Sequence, residues 1–477
     1  MKLRLTEPAI IAFKVALIYG LTFLGTAGNL ASYAVLGYWC LRGPVQTLEA
    51  LTMATFLSSL NPAIFPGFEA GGALRWGLLI FAAGVTLLRY RAKRHGLPPA
   101  LGRLALLVGA VLVLSIWSYA QDVSISRLVT FGLGAMTALL SARMAQSQLH
   151  RLRTWFLCSF ATIIVFSFPL IFTSYGYVRN NVAFQGFLSQ PQSYAVILAP
   201  YVAWLVASIY ARQLRGPVWL GVAGLAAISL FQTDARTGAI AAMAGALTGV
   251  MLQAWRKRMS IGKRIGSTVF VLLGGALVLL AITAAFYQQI ETMVGAFIFK
   301  NGKAFDIQTA FELSRGRLMQ ISWENFLEKP LVGIGFGLPS DPVQLVVNYI
   351  AGIPFSSSSE KGMLITAVLE EVGVIGFAAF LLLVWSLLQP AFRKLNGPAA
   401  AMGTAAFLTN FGESTFYSMG GVGLMIWMMM AYALAEAERG QVLVRPASRA
   451  RSVDYREGPS QGRPSTRVTF PQTESSS

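Results

Sequence analysis

The chain has 477 residues, of which 55% are hydrophobic and only 12% charged, and it carries a formal charge of +18. A soluble protein carries about 25% charged residues, so this composition excludes a water-soluble globular domain and points to an all-α, polytopic transmembrane helical bundle. The basic excess does not call for nucleic acid, because Lys and Arg gather in the cytoplasmic loops of membrane proteins; membrane lipids are the expected surroundings and no nucleic-acid partner is expected.

Apolar runs of about 18 or more residues read as membrane spans. They predict spans near 8–25, 28–41, 45–61, 73–88, 103–120, 125–142, 155–174, 192–210, 217–231, 236–254, 267–287, 363–388, 399–416 and 419–436. The second is short, so the first two form either two crossings or one shallow hairpin, giving 12–14 spans with the same parity. The opening stretch "MKLRLTEPAIIAFKVALIYGLTFLGTAG" reads as an uncleaved first span rather than a signal peptide. Lys14, inside it, snorkels or pairs with a neighbouring helix. Cys40 and Cys158 lie in apolar stretches and His95 and His150 in basic loops. That spacing offers no metal-ligand cluster, and neither a metal nor a cofactor is expected.

Charge sets the orientation. With the N-terminus in the cytoplasm, the inside segments hold 20 basic residues, and the short outside loops and span ends hold four: Arg75, Arg127, Arg179 and Arg236. This bias follows the positive-inside rule. It places both termini in the cytoplasm and residues 288–362, the one long loop between spans, on the outside. The tail 438–477, rich in Arg, Ser, Gly and Pro, reads as disordered, solvated and within reach of anionic lipid.

The outward polar groups, in chain order, begin with Arg179, Gln185, Gln190 and Gln192 in "YVRNNVAFQGFLSQPQSYA". Thr233 or Asp234 is placed to cap the span that starts near Arg236, and a helix N-terminus favours anions. In the long loop, "FELSRGRLMQISWENFLEKPLVGIGFG" predicts a helix over 309–328 ended by Pro330. At 100° per residue Arg317, Gln320, Glu324 and Glu328 share a polar face, with Phe311, Leu318, Met319, Ile321 and Phe326 opposite. Arg315 falls in the middle of the apolar side and needs a partner. That partner is either Glu312, three residues back, or an anionic ligand gripped by the guanidinium fork. The glycines of "GIGFG" (333–337) follow the helix instead of preceding one, so they fail the context of a dinucleotide fingerprint and read as a turn where backbone passes close to another element. Glu360 and Lys361 open the next span, and Glu413 closes a later one.

Four stretches, in this order, resemble the bacterial O-antigen ligase and polymerase family of membrane-integral glycosyltransferases. "FQGFLSQPQSYAVILAP" is similar to the family's Gly-x-Phe-x-x-Pro-Asn segment, with Gln192 in place of Asn. "DARTGAIAAMAGAL" is similar to its Arg-containing span start. "SRGRLMQISWENFLEKPLVGIGFG" is similar to its outer-loop Arg, Trp-containing helix, Pro and Gly-x-Gly. "KGMLITAVLEEVGVIGF" is similar to the span after the loop, which in the family opens with His-Asn and ends Glu-x-Gly. The matching region is roughly 170–416. It implies three parts: N-terminal helices 1–169, a ligase-like membrane domain 170–437 including the loop, and the tail 438–477. Here "SSSSEKGM" stands where the family has a histidine.

What the resemblance implies is a metal-independent, inverting transfer of a glycan from an undecaprenyl-diphosphate-linked oligosaccharide. The acceptor is a sugar hydroxyl, on a growing glycan or a lipid A-core, and the reaction takes place at the periplasmic face of the bacterial inner membrane. Arg236 and Arg315 are expected to hold the diphosphate, with Arg317, Arg179 and Lys361 in support, since fixed cations stabilise a leaving anion where water is scarce. Glu360 or Glu413 is expected to take the acceptor proton. The absent histidine inclines the reading to polymerase over ligase. A multi-span transporter and a non-catalytic component of a polysaccharide export system are the competing readings. Transporters place ionisable residues deep in their spans, where only Lys14 stands out.

Overall fold

The computed structural model describes residues 7–65, 71–93, 97–179, 181–261, 316–350, 353–357 and 361–439. The expected span 267–287, the Glu312–Arg315 pair, Glu360 and the tail lie outside the described residues. All the described residues belong to one compact unit, Met1–Arg439.

The helices run α1 Glu7–Thr22, α2 Gly25–Arg42, α3 Pro44–Leu57, α4 Gly71–Lys93, α5 Pro99–Leu114, α6 Gln121–Met144, α7 Leu149–Ser167, α8 Pro191–Tyr210, α9 Pro217–Gln232, α10 Arg236–Ile261, α11 Arg317–Glu328, α12 Leu364–Arg393, α13 Gly397–Leu408 and α14 Gly423–Glu438. A short antiparallel hairpin, β1 Val347–Ile350 and β2 Ile353–Ser357, is the only sheet among the described residues. Proline opens α3, α5, α8 and α9, a position where its missing N–H costs nothing. At α13, Asn396 accepts the Ala399 N–H as a side-chain cap.

Among the described residues seven helices are long and apolar enough to cross a membrane: those over Gly71–Ala92, Pro99–Trp117, Gln121–Met144, Gln146–Phe172, Pro191–Tyr210, Arg236–Lys257 and Leu364–Arg393. The chain is therefore read as a multi-pass membrane protein, a class in which helices satisfy their own backbone groups without water. The other expected spans among the described residues also fall on helices, but shorter ones. The expected span 399–416 shows why. Helix α13 has 12 residues, about 18 Å at 1.5 Å per residue, against a hydrocarbon core of about 30 Å. It gives way to a 3-10 turn at Thr409–Phe411, where Asn410 turns its side chain onto local backbone, accepting the Thr415 N–H at 3.0 Å.

Helix α14 is apolar on nearly every side and almost wholly buried, as expected of a helix at the centre of a bundle. Trp427 donates its indole N–H to the Phe416 carbonyl at 2.8 Å, and Trp204 meets Tyr432 edge-on. Helices α8, α10 and α13 approach through small residues. A Cβ on Gly249 would lie 2.6 Å from both the Ala401 Cβ and the Gly397 carbonyl oxygen, and 2.9 Å from the Ala207 Cβ. Small residues give transmembrane helices this close packing. Gly249→Leu is expected to force the three apart at a cost of about 1–3 kcal/mol. Thermal unfolding of the purified protein in detergent checks this, and an unchanged midpoint would contradict the close packing.

Hydrogen bonds tie together the connections at one end of the bundle, here called the rim. Asn61 donates to the carbonyls of Tyr175 and Gly186 at 2.8 and 2.9 Å. The Phe184 N–H reaches the Gln232 carbonyl at 2.9 Å, and the Tyr119 hydroxyl donates to the Pro339 carbonyl at 2.8 Å. Elsewhere in the bundle Glu49, fully buried, pairs with Lys14 at 2.9 Å and Arg151 at 3.1 Å. Lys14 thus pairs with a neighbouring helix.

Candidate functional site

The site begins with a helix that breaks. Helix α12 carries a non-helical residue, Gly373, with φ 61° and ψ −171°, a combination essentially limited to glycine. The break exposes backbone groups that need partners inside a membrane, and the passage after α11 supplies them. The N–H groups of Ile334 and Gly335 donate to the carbonyls of Glu370 and Glu371 at 2.9 and 3.0 Å, and the Val374 N–H donates to the Pro330 carbonyl at 2.9 Å. The "GIGFG" segment is thus the close backbone approach that its glycines imply, laid against a split helix.

The same break gathers charge. The Glu371 side chain accepts the Gly337 N–H at 2.7 Å. Glu370 accepts Asn325 at 2.7 Å on one oxygen and Lys361 at 2.6 Å on the other. The Lys361 ammonium also lies 3.9 Å from Glu371. All three charged groups are buried. Arg127, near the start of α6, donates to the Gly337 carbonyl and faces the Glu371 charge. Next to Gly335, the Phe336 N–H is held by the Ser124 hydroxyl at 2.9 Å, which fixes this passage to α6.

Arg127, Lys361, Glu371, Arg75 and Tyr417 all line one polar cavity of about 300 Å3 at the rim, closed on another side by Ser414 and Ser418–Gly421. Arg75 rises from the first turns of α4. One of its terminal nitrogens donates to Ser58 at 2.9 Å, while its Nε is buried without a hydrogen-bond partner among the described residues. The Tyr417 hydroxyl is likewise buried and unpartnered among them. Burial, with the Glu371 charge as a lesser cause, pushes the Tyr417 phenol well above its ordinary value, so it remains a neutral donor. Buried polar groups almost always have partners. Both residues line this cavity, so two donors without a partner among the described residues lie in its wall.

The cavity adjoins a second space of different character. An almost wholly apolar groove of about 410 Å3 runs between α4 and α6, lined by Leu79, Ile80, Ile125, Val129 and Leu133, with Pro354 of β2 at its edge. It shares Trp76 and Thr130 with the polar cavity. Ile80, Ile125 and Val129 are exposed on the flank of the bundle.

No family model and no curated protein matches the chain.

Of the residues expected from sequence, Lys361 lines the cavity, as the buried partner of Glu370 and Glu371. Arg236 is the first residue of α10; its neighbour Thr237 packs directly against Gly412, and Glu413 stands between Gly412 and Ser414 of the cavity wall. The Thr233 hydroxyl accepts the Ala235 N–H at 3.3 Å, just ahead of that helix. Arg179 is exposed, and its backbone N–H donates to the Gln185 side chain at 2.9 Å. Arg317 is exposed at the start of α11, on a face with Gln320, Glu324 and Glu328. Arg179 and Arg317 do not line the cavity. Arg315 and Glu360 lie outside the described residues.

Sequence reasoning passed over Arg75, Arg127 and Glu371. The signal was present. Arg75 and Arg127 are two of the four basic residues assigned to the outer side, both inside span starts, and Glu370–Glu371 interrupt a long apolar run. An ionisable group inside a span is a functional candidate by default.

Proposed function

We propose that this chain is a membrane-integral glycosyltransferase that moves a glycan from a polyprenyl diphosphate carrier to a sugar hydroxyl. The observation that carries the reading is the junction at Trp76 and Thr130. There a polar cavity with Arg75, Arg127 and Lys361 meets an apolar groove on the flank of α4 and α6. A prenyl diphosphate divides the same way, into a doubly charged head rich in acceptors and a long apolar tail. Arginine suits the head because its planar fork binds phosphate oxygens in pairs and keeps its charge.

In this reading the donor is an undecaprenyl-diphosphate-linked oligosaccharide, and the acceptor is a growing glycan or a lipid A-core. The rim faces the periplasm of a bacterial inner membrane, with both termini cytoplasmic and 12–14 crossings. The acceptor oxygen attacks the anomeric carbon. The bond from that carbon to the diphosphate oxygen breaks, and the electron pair leaves with the lipid diphosphate. Arg75 and Arg127 take up the charge that develops there, as fixed cations aimed at a leaving anion do. The acceptor proton passes to Glu371, the carboxylate that lines the cavity. Glu413 is next in chain to the Ser414 wall, and Arg236 adjoins Thr237, which packs on Gly412.

A transporter is the second reading. The broken helix beside Lys361, Glu370 and Glu371 favours it, because discontinuous helices carrying ionisable groups form transporter binding sites. One experiment separates the two: purified protein in detergent is incubated with a lipid-diphosphate-linked repeat unit. Release of lipid diphosphate is expected, with longer glycans if the enzyme is a polymerase. Arg75→Gln is expected to slow release by about 100-fold or more, with an unchanged thermal midpoint. Full activity in that variant refutes the diphosphate role of Arg75. No release by the wild type, with uptake in proteoliposomes, establishes transport instead.

A further inference from the structure

Arg75 lines a second polar cavity on its other side. This space, also about 300 Å3, lies among the rim ends of α1, α2, α3 and α4. Its polar lining comes from Thr22, Asn29, Tyr33 and Ser58 besides Arg75, and its apolar lining includes Phe65 and Leu60. Of these residues only Arg75 and its hydrogen-bond partner Ser58 belong to the site described above.

The hydrogen bonds already made decide what remains on offer. The Asn29 amide N–H donates to the Gly25 carbonyl at 3.0 Å, which leaves the amide oxygen as an acceptor. The Tyr33 hydroxyl donates to the Gly71 carbonyl at 3.3 Å, so its lone pairs remain. Ser58 donates to the Thr55 carbonyl at 3.0 Å and receives Arg75 at 2.9 Å. A hydroxyl offers one donor and two acceptor sites, and an amide oxygen two. The cavity therefore presents acceptor oxygens beside an apolar patch built on Phe65, which is itself held by rings of Tyr19, Phe23 and Phe187. A phosphate or carboxylate, with acceptors alone, would find one cation and the second Asn29 amide N–H, but would leave the hydroxyl and amide oxygens of Tyr33, Ser58 and Asn29 unmatched. A sugar matches better: its hydroxyls donate to acceptor oxygens, and its C–H face lies on apolar or aromatic surface.

We infer that this cavity is the acceptor subsite and takes the terminal sugar of the glycan that receives the transfer, with Arg75 in the wall between it and the diphosphate cavity. The inference rests on the glycosyl-transfer reading. It also gives Arg75 a second role. The guanidinium that steadies the departing diphosphate also borders the attacking sugar, so donor and acceptor meet across one side chain. In that arrangement the N-terminal helices α1–α3 select the acceptor, and the α4–α6 flank selects the lipid.

Two variants test it. Asn29→Leu replaces the amide by an apolar group of similar size, and Tyr33→Phe removes one hydroxyl and leaves the ring. Both are expected to raise the acceptor KM at least tenfold and to leave the donor KM unchanged. A merely structural role for Asn29 or Tyr33 would not split the two constants in this way. A separate arm needs no turnover: titration of the purified protein with neutral trisaccharides of glucose and of N-acetylglucosamine, followed by ligand-observed NMR. Saturable binding of either to the wild type, weakened in Asn29→Leu and Tyr33→Phe, supports the subsite. Acceptor KM values equal to wild type in both variants, or saccharide binding that neither variant weakens, overturn it. If the wild type binds saccharide at this cavity but releases no lipid diphosphate, the transfer reading fails and the sugar site stands.

Discussion

Gly373→Val is expected to cripple the protein more than any other single apolar substitution in α12. The residue holds φ 61° and ψ −171°, a region in which a β-branched side chain costs on the order of 3 kcal/mol from backbone strain alone. Space is lacking too, since a Cβ there would drive into the Leu331 carbonyl and crowd the Val332 N–H. The valine cannot relax by making α12 continuous. Continuity would take the Glu370 and Glu371 carbonyls away from Ile334 and Gly335 and unseat the passage that delivers Gly337 to Glu371. The expected result is a strongly lowered thermal midpoint, loss of monodisperse protein in detergent, and no transfer. Gly109→Ala in α5, where a Cβ meets nothing within 4 Å, serves as the control and is expected to be neutral or stabilising by up to about 1 kcal/mol. A Gly373→Val protein that melts with the wild type would mean that the break in α12 is not required.

The same glycines show what a sequence can and cannot disclose. "VGIGFG" points to a turn where backbone passes close to another element, because glycines fit both positive φ and close approach. It does not say which element is approached. The partner, Glu370–Val374, lies about 40 residues on, inside the expected span 363–388, where Glu371-Val372-Gly373 matches the Glu-x-Gly of the resemblance but gives no sign of a break. The helices are legible because length and apolarity alone dictate them, as in "PQSYAVILAPYVAWLVASIY", which opens on Pro191 and forms α8. The end of α13 is less so. In sequence, Asn410, Gly412 and Glu413 read as the border of a crossing that continues to residue 416, but the helix stops at Leu408 because Asn410 satisfies local backbone instead.

The site is legible as chemistry but not as geometry. Arginines and carboxylates assigned to the outer side are the right residue types for a diphosphate. Those that stand out in sequence lie largely in the long loop, since loops are where charges draw attention. The cavity is instead lined by charges on helices, Arg75, Arg127 and Glu371, joined by Lys361 and Tyr417. Their positions span more than 340 residues of chain, from Arg75 to Tyr417, and no periodicity within a single helix can bring α4, α6, α12 and the α13–α14 connection to one point. Only tertiary packing does so. A local cue exists in Glu370 and Glu371, two adjacent carboxylates in an apolar span, because such groups persist in a membrane only when something pairs with them.

That pairing supports the second large expectation. Lys361→Met removes the ammonium that lies 2.6 Å from Glu370 and 3.9 Å from Glu371. Glu371 keeps the Gly337 N–H and the nearby Arg127, but among the described residues Glu370 keeps only Asn325 as a side-chain partner. A buried carboxylate deprived of its cation is costly; breaking such a pair from one side destabilises by about 3–5 kcal/mol. Lys361→Met is therefore expected to lower the thermal midpoint markedly. Adding Glu370→Gln should recover most of the loss, because the glutamine carbonyl still accepts Asn325 and no charge is stranded. This rescue distinguishes an ion pair from simple packing, for which the second change would bring further loss. The double variant also isolates the chemistry. It retains Glu371, Arg75 and Arg127, so it is expected to release lipid diphosphate, more slowly than wild type. Glu371→Gln, by contrast, removes the group proposed to take the proton, with an expected fall of about 100-fold to 10,000-fold in turnover at an unchanged donor KM. Equal stability of Lys361→Met and the wild type would refute the buried pair. Normal turnover in Glu371→Gln would move the proton to another acceptor, and Glu413, next in chain to the cavity wall at Ser414, is the one to test in its place.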